Sequence, residues 1–350
     1  MRKSIFAVLA ALMVLLMVLT ACGAKSGAGI KVGQVTDTGG IDDRSFNATA
    51  WKGVEDAVRD LGVEGQYLES QQQTDYERNI KEFMDQDFDL IVTVGFLLAD
   101  ATKVAAEANP DHYFAIVDSA YDPVIPNVLG LTFATDEAAF LAGYLAAGMS
   151  KTGKVGTFGG IPIPPVTIFM VGFEQGVKYY NDQKGTNVEV LGWTTDPAMD
   201  GCGDGSFTGN FESTDDGRLF ANSLMDEGAD IIVPVAGPVG LGSAAACMER
   251  GTMFIGVDTD WYVSAPDFKA IYLTSILKNM DVAVYDAIKA IVDETFAGGT
   301  YIGTLKNSGV GLAPFHDFDS QIPAELKAEI EQLEQDIIDG KVNTGWSDCQ

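Results

Sequence analysis

The chain has 350 residues, of which 47% are hydrophobic, so it is long enough to form two domains with apolar cores. Its 50 acidic residues outnumber its 22 basic ones and give a formal net charge of −28. This balance argues against binding DNA or RNA, whose phosphates require a basic surface, and we expect no nucleic-acid partner.

The first residues have the pattern of an export signal. Two basic residues precede an apolar run over residues 5–19, which ends in Leu-Thr-Ala-Cys22. This pattern resembles a bacterial lipobox and predicts a lipoprotein signal peptide at residues 1–21, with lipid on Cys22. The alternative is an ordinary signal peptide with an incidental cysteine. Residues 22–29 are predicted to form a flexible tether that holds the protein on the extracytoplasmic face of the cell membrane.

Strands and helices are predicted to alternate from Ile30 onward. Buried apolar runs predict strands, and apolar residues at helical spacing predict the helices between them. In the first half, the predicted strands are Lys31–Val35, Leu90–Val94, Tyr113–Val117 and Val128–Phe133. The predicted helices are Ser45–Leu61, one that starts near Thr74, and Asp136–Met149.

The second half repeats this alternation, starting with the strand and Gly-rich turn at Lys154–Gly160. Further strands are predicted at Val188–Leu191, Ile231–Val235, Phe254–Val257 and Ile271–Ile276, with short ones near Ile302 and Val310. The predicted helices are residues 279–296 and 323–338, and residues 196–211 are predicted to be a surface loop. Such alternation is typical of an α/β fold with parallel sheets.

Two stretches of the chain are similar in sequence. One starts D-L-I-V-T-V-G at Asp89 and reaches a strand-end Asp118 after 29 positions. The other starts D-I-I-V-P-V-A-G at Asp230 and reaches Asp258 after 28 positions. Because ligands bind at the carboxyl ends of parallel strands, two such halves would aim both aspartates into a shared cleft. The alternative is a chance similarity between two ordinary βαβ units.

The sequence offers little support for catalysis. Its two histidines, His112 and His316, lie in turn-like contexts, and no nucleophile elbow, phosphate-binding loop or zinc-protease motif is present. Asp196, Asp200 and Asp204 share a loop without the spacing of a calcium-binding loop. We therefore predict a protein that is not an enzyme and requires no metal or organic cofactor. The alternative is a hydrolase that uses the two strand-end aspartates.

The turn from Thr36 to Asn47 is predicted to form a polar ligand site. Gly39 and Gly40 allow the backbone to approach a ligand, and the following helix start presents unpaired N–H groups. Phe46 is either a core aromatic or a ring exposed for stacking. Lys278 is either a solvated lysine or a donor in the cleft.

Three cysteines follow Cys22. Export to an oxidising compartment permits a disulfide, and the preferred pair is Cys202 with Cys247. Cys349 is then free, or it forms a disulfide instead. The spacing of these cysteines matches no zinc site.

Seven blocks of sequence resemble one known family. They are G-G-I-D-D-R-S-F-N (Gly39–Asn47), F-A-I-V-D-S (Phe114–Ser119), E-A-A-F-L-A-G (Glu137–Gly143), K-V-G-T-F-G-G (Lys154–Gly160), V-A-G-P-V-G-L-G (Val235–Gly242), I-G-V-D-T-D (Ile255–Asp260) and T-S-I-L-K-N-M-D-V-A-V-Y-D-A-I (Thr274–Ile288). The blocks resemble the basic membrane lipoprotein family over almost the entire chain after the signal peptide. Its members are substrate-binding lipoproteins of ABC importers that are similar to the purine nucleoside receptor.

The resemblance implies a type I periplasmic-binding-protein fold, in which a hinge joins two Rossmann-like lobes with parallel sheets around a ligand cleft. Lobe 1 would contain residues 30–134 and 277–300, and lobe 2 would contain residues 135–276 and 301–350. The chain would cross between the lobes near residues 133–136, near residues 275–278 and around Tyr301.

The resemblance also implies how a nucleoside would be held. Phe46 would stack on the base, while Asn47 and Asp118 would hydrogen-bond its polar edge. Asp37 would lie near the same end of the cleft.

The other end of the cleft would hold the ribose. Asp258 would accept hydrogen bonds from vicinal hydroxyls, Lys278 would donate to the sugar, and Gly237 would lie beside it. These roles suit the groups, because a carboxylate only accepts hydrogen bonds and an ammonium only donates them.

The sequence departs from the family at the strand Ile231–Val235. Family members often present a second stacking aromatic from this strand, whereas this chain has Val233 there and Pro238 in place of a small residue. Either the base lacks its second aromatic partner, or Phe173 or Trp261 supplies it.

Together these features predict a monomeric, lipid-anchored receptor that binds a nucleoside, preferably a purine nucleoside. It would deliver this ligand to the permease and ATPase subunits of an ABC importer when the hinge closes. The alternatives are the same fold binding another solute, such as a flavin or a sugar, or a surface sensor of nucleosides.

Overall fold

The computed structural model describes residues 26–349. The predicted signal peptide and the predicted lipidation site, Cys22, lie outside the described residues. Within residues 26–349, no helix combines the length and apolar character needed to cross a membrane.

Two six-stranded sheets with the same strand order form the molecule. In spatial order, the first sheet contains β13 (Gly299–Gly303), β5 (Val128–Phe133), β4 (Tyr113–Val117), β3 (Leu90–Val94), β1 (Lys31–Val35) and β2 (Glu64–Leu68). The second contains β14 (Val310–Leu312), β12 (Tyr272–Lys278), β11 (Met253–Asp258), β10 (Ile231–Val235), β6 (Lys154–Gly159) and β7 (Glu189–Leu191). Each pair of neighbours is parallel except β12 and β14, which are antiparallel. The predicted α/β fold of two Rossmann-like lobes is therefore confirmed.

The strands are short, and their bounds follow the apolar runs of the sequence. A separate antiparallel pair consists of β8 (Trp193–Thr195) and β9 (Gly203–Gly205).

Helices cross between the parallel strands and cover the sheets. They are α1 (Phe46–Leu61), α2 (Tyr76–Asp85), α3 (Ala99–Ala108), α4 (Thr135–Met149), α5 (Pro164–Lys184), α6 (Thr214–Asp226), α7 (Gly240–Arg250), α8 (Trp261–Ser264), α9 (Met280–Val292) and α10 (Ala324–Ile338). The central strands β3 and β10 are buried at every residue. Because helices cover both faces of the sheets, these strands have no side exposed to solvent. Their sequences are therefore continuous apolar runs.

Three strands of the structure were not predicted from the sequence. The edge strand β2 has exposed or half-buried residues throughout, so it gives no apolar signal. The strands β8 and β9 have only three residues each, and β9 lies in the predicted surface loop. Short or exposed strands bury too little apolar surface to produce a readable pattern.

Strand pairing shifts two of the predicted lobe boundaries. β12 continues in the second sheet to Lys278, and β13 continues in the first sheet to Gly303. The divisions predicted at residues 277 and 301 therefore fall inside strands. We propose that the chain crosses between the lobes at Ala134, after Lys278 and after Gly303.

The predicted disulfide between Cys202 and Cys247 is wrong. Cys202 pairs with Cys349, whose Cα atom lies 5.3 Å from its own, and Cys247 is a free thiol. Cys247 is fully buried in α7 among the apolar residues of the second lobe, where burial raises its pKa to about 11. The disulfide attaches the C-terminal segment to the loop before β9.

Candidate functional site

A cavity lies between the two sheets, at the carboxyl ends of their strands. All seven residues that the sequence analysis assigned to ligand binding line the cavity: Asp37, Phe46, Asn47, Asp118, Gly237, Asp258 and Lys278. Their positions on both sheets agree with the rule that open α/β folds bind ligands beyond the strand ends.

The Asp43 carboxylate shapes the turn between β1 and α1. It accepts hydrogen bonds from the backbone N–H groups of Ser45, Asn47 and Ala48, at 2.7–3.0 Å. These amides open the helix and would otherwise lack partners. Burial raises the pKa of Asp43 to about 7, although the backbone hydrogen bonds oppose this shift.

Asn47 is buried beside the cavity, and its side chain is already hydrogen-bonded within the protein. Its Nδ2 donates to Asp37 Oδ1 at 2.7 Å and to Asp43 Oδ2 at 3.1 Å. Its Oδ1 accepts from the Asp37 amide at 3.3 Å. The amide therefore orients Asp37, and a direct hydrogen bond from Asn47 to a ligand stays a prediction.

Asp37 presents one carboxylate oxygen to the cavity. Its Oδ1 accepts from Asn47 and from the Gly39 amide at 2.9 Å, while Oδ2 has no hydrogen-bond partner among the described residues. Burial raises the pKa of Asp37 to about 6. Near neutral pH this group is an acceptor for donors on a ligand.

The two strand-end aspartates of the sequence repeat lie in the same cavity. Asp118 follows β4, Asp258 ends β11, and their φ angles are 66° and 70°. Residues other than glycine rarely adopt this left-handed conformation, which concentrates at ligand sites. Burial raises the pKa of both carboxyls, and the positive charge of Lys278 opposes the shift.

Lys278 is buried, with a side chain that is only 2% exposed. Its Nζ lies 2.5 Å from the Asp118 carboxylate and within 4.9–5.9 Å of the ring centres of Phe46, Phe133 and Phe169. Opposite charge and aromatic faces both stabilise an ammonium away from water. The alternative of a solvated lysine is therefore wrong.

Phe46 is half-buried at the start of α1 and lines the cavity. Its ring also packs against the apolar core. The two alternatives for this residue are thus both partly realised, because one face of the site is also an edge of the core.

The other aromatic rings at the cavity belong to residues that were not among the predicted site residues. Val233, Phe173 and Trp261 are buried in the core and do not line the cavity. The rings that do are Phe96, Phe169 and Phe211. Phe169 lies in α5, which follows the Gly159-Gly160 turn as α1 follows Gly39-Gly40, so the repeat carried a usable signal for it.

The described residues show no arrangement typical of a metal centre or of histidine catalysis. No group of three or more His, Cys, Asp or Glu side chains in residues 26–349 is placed to hold a metal ion. His112 contacts the Phe88 carbonyl and His316 contacts Asp260, and neither histidine lines the cavity. The cavity is suited to binding a polar, partly aromatic solute.

Comparison with known proteins identifies one family. Its sequence model, described as ABC transporter substrate-binding protein PnrA-like, matches residues 30–201 and 204–345. The match covers both lobes and every residue assigned to the cavity.

Two curated relatives and one solved structure illustrate the similarity. An uncharacterized lipoprotein of Pyrococcus horikoshii is 34% identical, over 81% of this chain and 69% of its own length. The ABC transporter nucleoside-binding protein BmpA of Lactococcus lactis is 30% identical, over 98% of this chain and 99% of its own. A crystal structure of an ABC transporter solute-binding protein from Aeropyrum pernix superimposes with a TM-score of 0.80 at 29% identity, covering 90% of this chain and 92% of that one.

Proposed function

Since this chain belongs to the Bmp family of PnrA-like ABC transporter substrate-binding proteins, we propose that its cleft binds a nucleoside, with purine nucleosides preferred. The observation that carries the proposal is the meeting of Phe46, Lys278, Asp118 and Asp258 in one cavity between the sheets. The aromatic ring of Phe46 matches a flat base. The ammonium of Lys278 and the two carboxylates match the polar groups of the base and the hydroxyls of the sugar. The name of the Lactococcus relative supports the same ligand class.

The base stacks on Phe46, which faces the cavity from the first turn of α1. The rings of Phe96, Phe169 and Phe211 are available for its other face. Each stacked aromatic contributes about 1–3 kcal/mol, so a second ring compensates for Val233 on β10.

The polar edge of the base meets carboxylates. Asp37 and Asp118 accept hydrogen bonds from N–H donors of the base. Asn47 acts through Asp37, which its amide holds in place at 2.7 Å. Because Asp37 and Asp118 both offer hydrogen-bond acceptors, the site favours bases that carry N–H groups on that edge.

The ribose lies against Asp258, Lys278 and Gly237. Asp258 accepts from the vicinal hydroxyls, and Lys278 donates to a sugar oxygen. Gly237 has a φ of 53° and no atoms within 4 Å of the position of an added Cβ, so its backbone leaves room for the sugar.

The family consists of solute-binding proteins of transporters, not of enzymes, and such proteins work with permease and ATPase subunits. We propose that ligand bridges the two lobes, stabilises their closed arrangement and is then delivered to the permease for import. Lipid on Cys22 keeps the protein, as a monomer, at the extracytoplasmic face of the membrane. The Pyrococcus relative is named as a lipoprotein, which supports this anchoring.

Isothermal titration calorimetry with inosine, guanosine, adenosine and cytidine tests the proposal. We expect heat from the purine nucleosides and a weaker signal from cytidine, because the larger purine ring stacks over more area. Phe46→Leu should weaken purine binding by about 1–3 kcal/mol, whereas Phe296→Leu, which lies outside the cavity, should bind as the wild type does. Absence of heat with all four nucleosides would reject this ligand class, and mass spectrometry of co-purified solute would then identify a flavin or a sugar.

A further inference from the structure

The start of α1 contacts the opposite lobe through Ser45. Its Oγ donates to Asp258 Oδ2 at 2.8 Å and lies 3.4 Å from the Val257 carbonyl oxygen. Ser45 has no exposed surface. Since Ser45 follows a strand of the first sheet and Asp258 ends a strand of the second, this hydrogen bond crosses between the lobes.

The Ser45 hydroxyl is free for this contact because another residue caps the helix. A serine at the N-cap usually accepts from the helix amides two or three residues further on. Here the Asp43 carboxylate accepts hydrogen bonds from the backbone N–H groups of Asn47 and Ala48, and the Ser45 side chain does not cap the helix. The Ser45 backbone is held at both ends, by Asp43 at its N–H and by Thr49 at its carbonyl.

A second contact runs in the opposite direction. Lys278 at the end of β12 in the second sheet donates to Asp118 after β4 in the first. Each strand-end aspartate of the sequence repeat thus accepts a hydrogen bond from the other lobe. Both bonds use protein atoms only, so they can form before a ligand arrives.

We propose that the Ser45 hydroxyl is an interlobe latch, which holds the two lobes together and orients the Asp258 carboxylate for a ligand hydroxyl. The bond occupies Oδ2, and Oδ1 has no hydrogen-bond partner among residues 26–349, so one oxygen is left to the ligand. Ser45 is a positioning residue, because it acts through Asp258. The part of the proposal that concerns the ligand rests on the proposed function.

The first measurement uses the full chain without ligand. Spin labels are placed by Val104→Cys on α3 and Leu219→Cys on α6, two side chains that are 61% and 65% exposed, and the interlobe distance distribution is recorded. A hydrogen bond to a charged group is strong in a buried site, so Ser45→Ala should lower the ratio of closed to open protein about 10-fold. Coinciding distributions for the wild type and Ser45→Ala would overturn the latch.

The second measurement is stopped-flow kinetics with guanosine. Ser45→Ala should raise the dissociation rate constant of guanosine about 10-fold, because the lobes are then held less firmly together over the bound ligand. Ser243→Ala is the matched control, since its hydroxyl is equally buried but bonds to Gly217 within the second lobe. Equal dissociation rates in Ser45→Ala and the wild type would also overturn the latch.

These two measurements separate the latch from the proposed function. If guanosine and the other nucleosides fail to bind the wild-type protein, the nucleoside assignment is rejected. The distance distribution of the ligand-free chain then still decides whether Ser45 holds the lobes together. Thermal unfolding of Ser45→Ala and Ser243→Ala checks that a loss of overall stability does not account for the result.

Discussion

Lys278 is a buried cation whose partners belong to both lobes. Its ammonium pairs with Asp118 and lies near the rings of Phe46 and Phe169. Moving an ammonium and a carboxylate out of water is unfavourable, and their attraction offsets that cost only while both are present. The pair therefore makes each residue depend on the other.

Lys278→Met should reduce the free energy of unfolding by about 3–5 kcal/mol, since it leaves the Asp118 carboxylate buried without its partner. Adding Asp118→Asn should restore much of this loss, because the double variant contains neither charge. Urea denaturation of the wild type, both single variants and the double variant gives the coupling energy. A coupling energy near zero would show that the two charges do not stabilise one another.

The helices α4 and α5 pack closely because glycines lie at their contact. A Cβ added at Gly143 would overlap the Phe173 carbonyl, and one added at Gly176 would overlap the Phe140 carbonyl. Glycines at α1, α6 and α7 allow similar close contacts with neighbouring helices. These contacts set how near the helices lie to one another, and therefore where α1 and α5 present Phe46 and Phe169.

Gly176→Ala should destabilise the protein by about 1–3 kcal/mol, because α4 and α5 must separate to admit the new methyl group. Alanine favours a helix over glycine by about 1 kcal/mol, which offsets only part of this cost. Gly311→Ala in β14 is the control, since an added Cβ there meets no atom within 4 Å. Equal midpoints of thermal unfolding for the two variants would contradict the close-packing argument.

The whole molecule carries a net charge of −28 and buries several carboxyls at one site. Burial raises the pKa of Asp37 to about 6 and that of Asp43 to about 7. A carboxyl whose pKa is raised by folding stabilises the protein fully below the pKa that it has in the unfolded chain, about 3.8. This contribution is lost as the pH rises through the pKa that the group has in the folded protein. Four carboxylates near the surface have lowered pKa values, and their contribution to the stability of the protein is lost only below about pH 4. They are Asp56, Asp60, Glu329 and Asp339.

The protein should therefore be more stable at pH 5 than at pH 8, by about 2–4 kcal/mol. Self-repulsion among the acidic residues acts in the same direction, since it increases with pH. Urea denaturation at pH 5, 6, 7 and 8 measures the difference. A free energy of unfolding that rises steadily over this range would refute the raised pKa values.

Asp37→Asn provides a matched control for this pH dependence. The hydrogen bonds of the Asp37 carboxylate all fall on Oδ1, so an amide oxygen at that position keeps the contacts with Gly39 and Asn47. The variant cannot titrate, and its stability should change less than the wild type between pH 5 and pH 7. An unchanged slope would assign the pH dependence to other groups.

Much of this molecule was predictable from local patterns of sequence. The buried runs Leu90–Val94 and Ile231–Val235 predicted the central strands, and their repeat predicted that Asp118 and Asp258 lie in one cavity. The strand β2 was not predicted because it lies at a sheet edge with its side chains in solvent. The disulfide partner of Cys202 was not predicted correctly because spacing along the chain carries no information about proximity in space.

The sequence by itself determined the strand and helix order, the repeat of the two halves and the residues that end the strands. These features depend on apolar periodicity and on turn residues, which act over a few positions of the chain. Only the tertiary structure decided that Asn47 bonds Asp37, that Phe169 and not Trp261 reaches the cavity, and that Ser45 crosses to Asp258. Those contacts depend on how the two lobes are set against each other, since a hydrogen bond requires atoms to meet within about 3 Å.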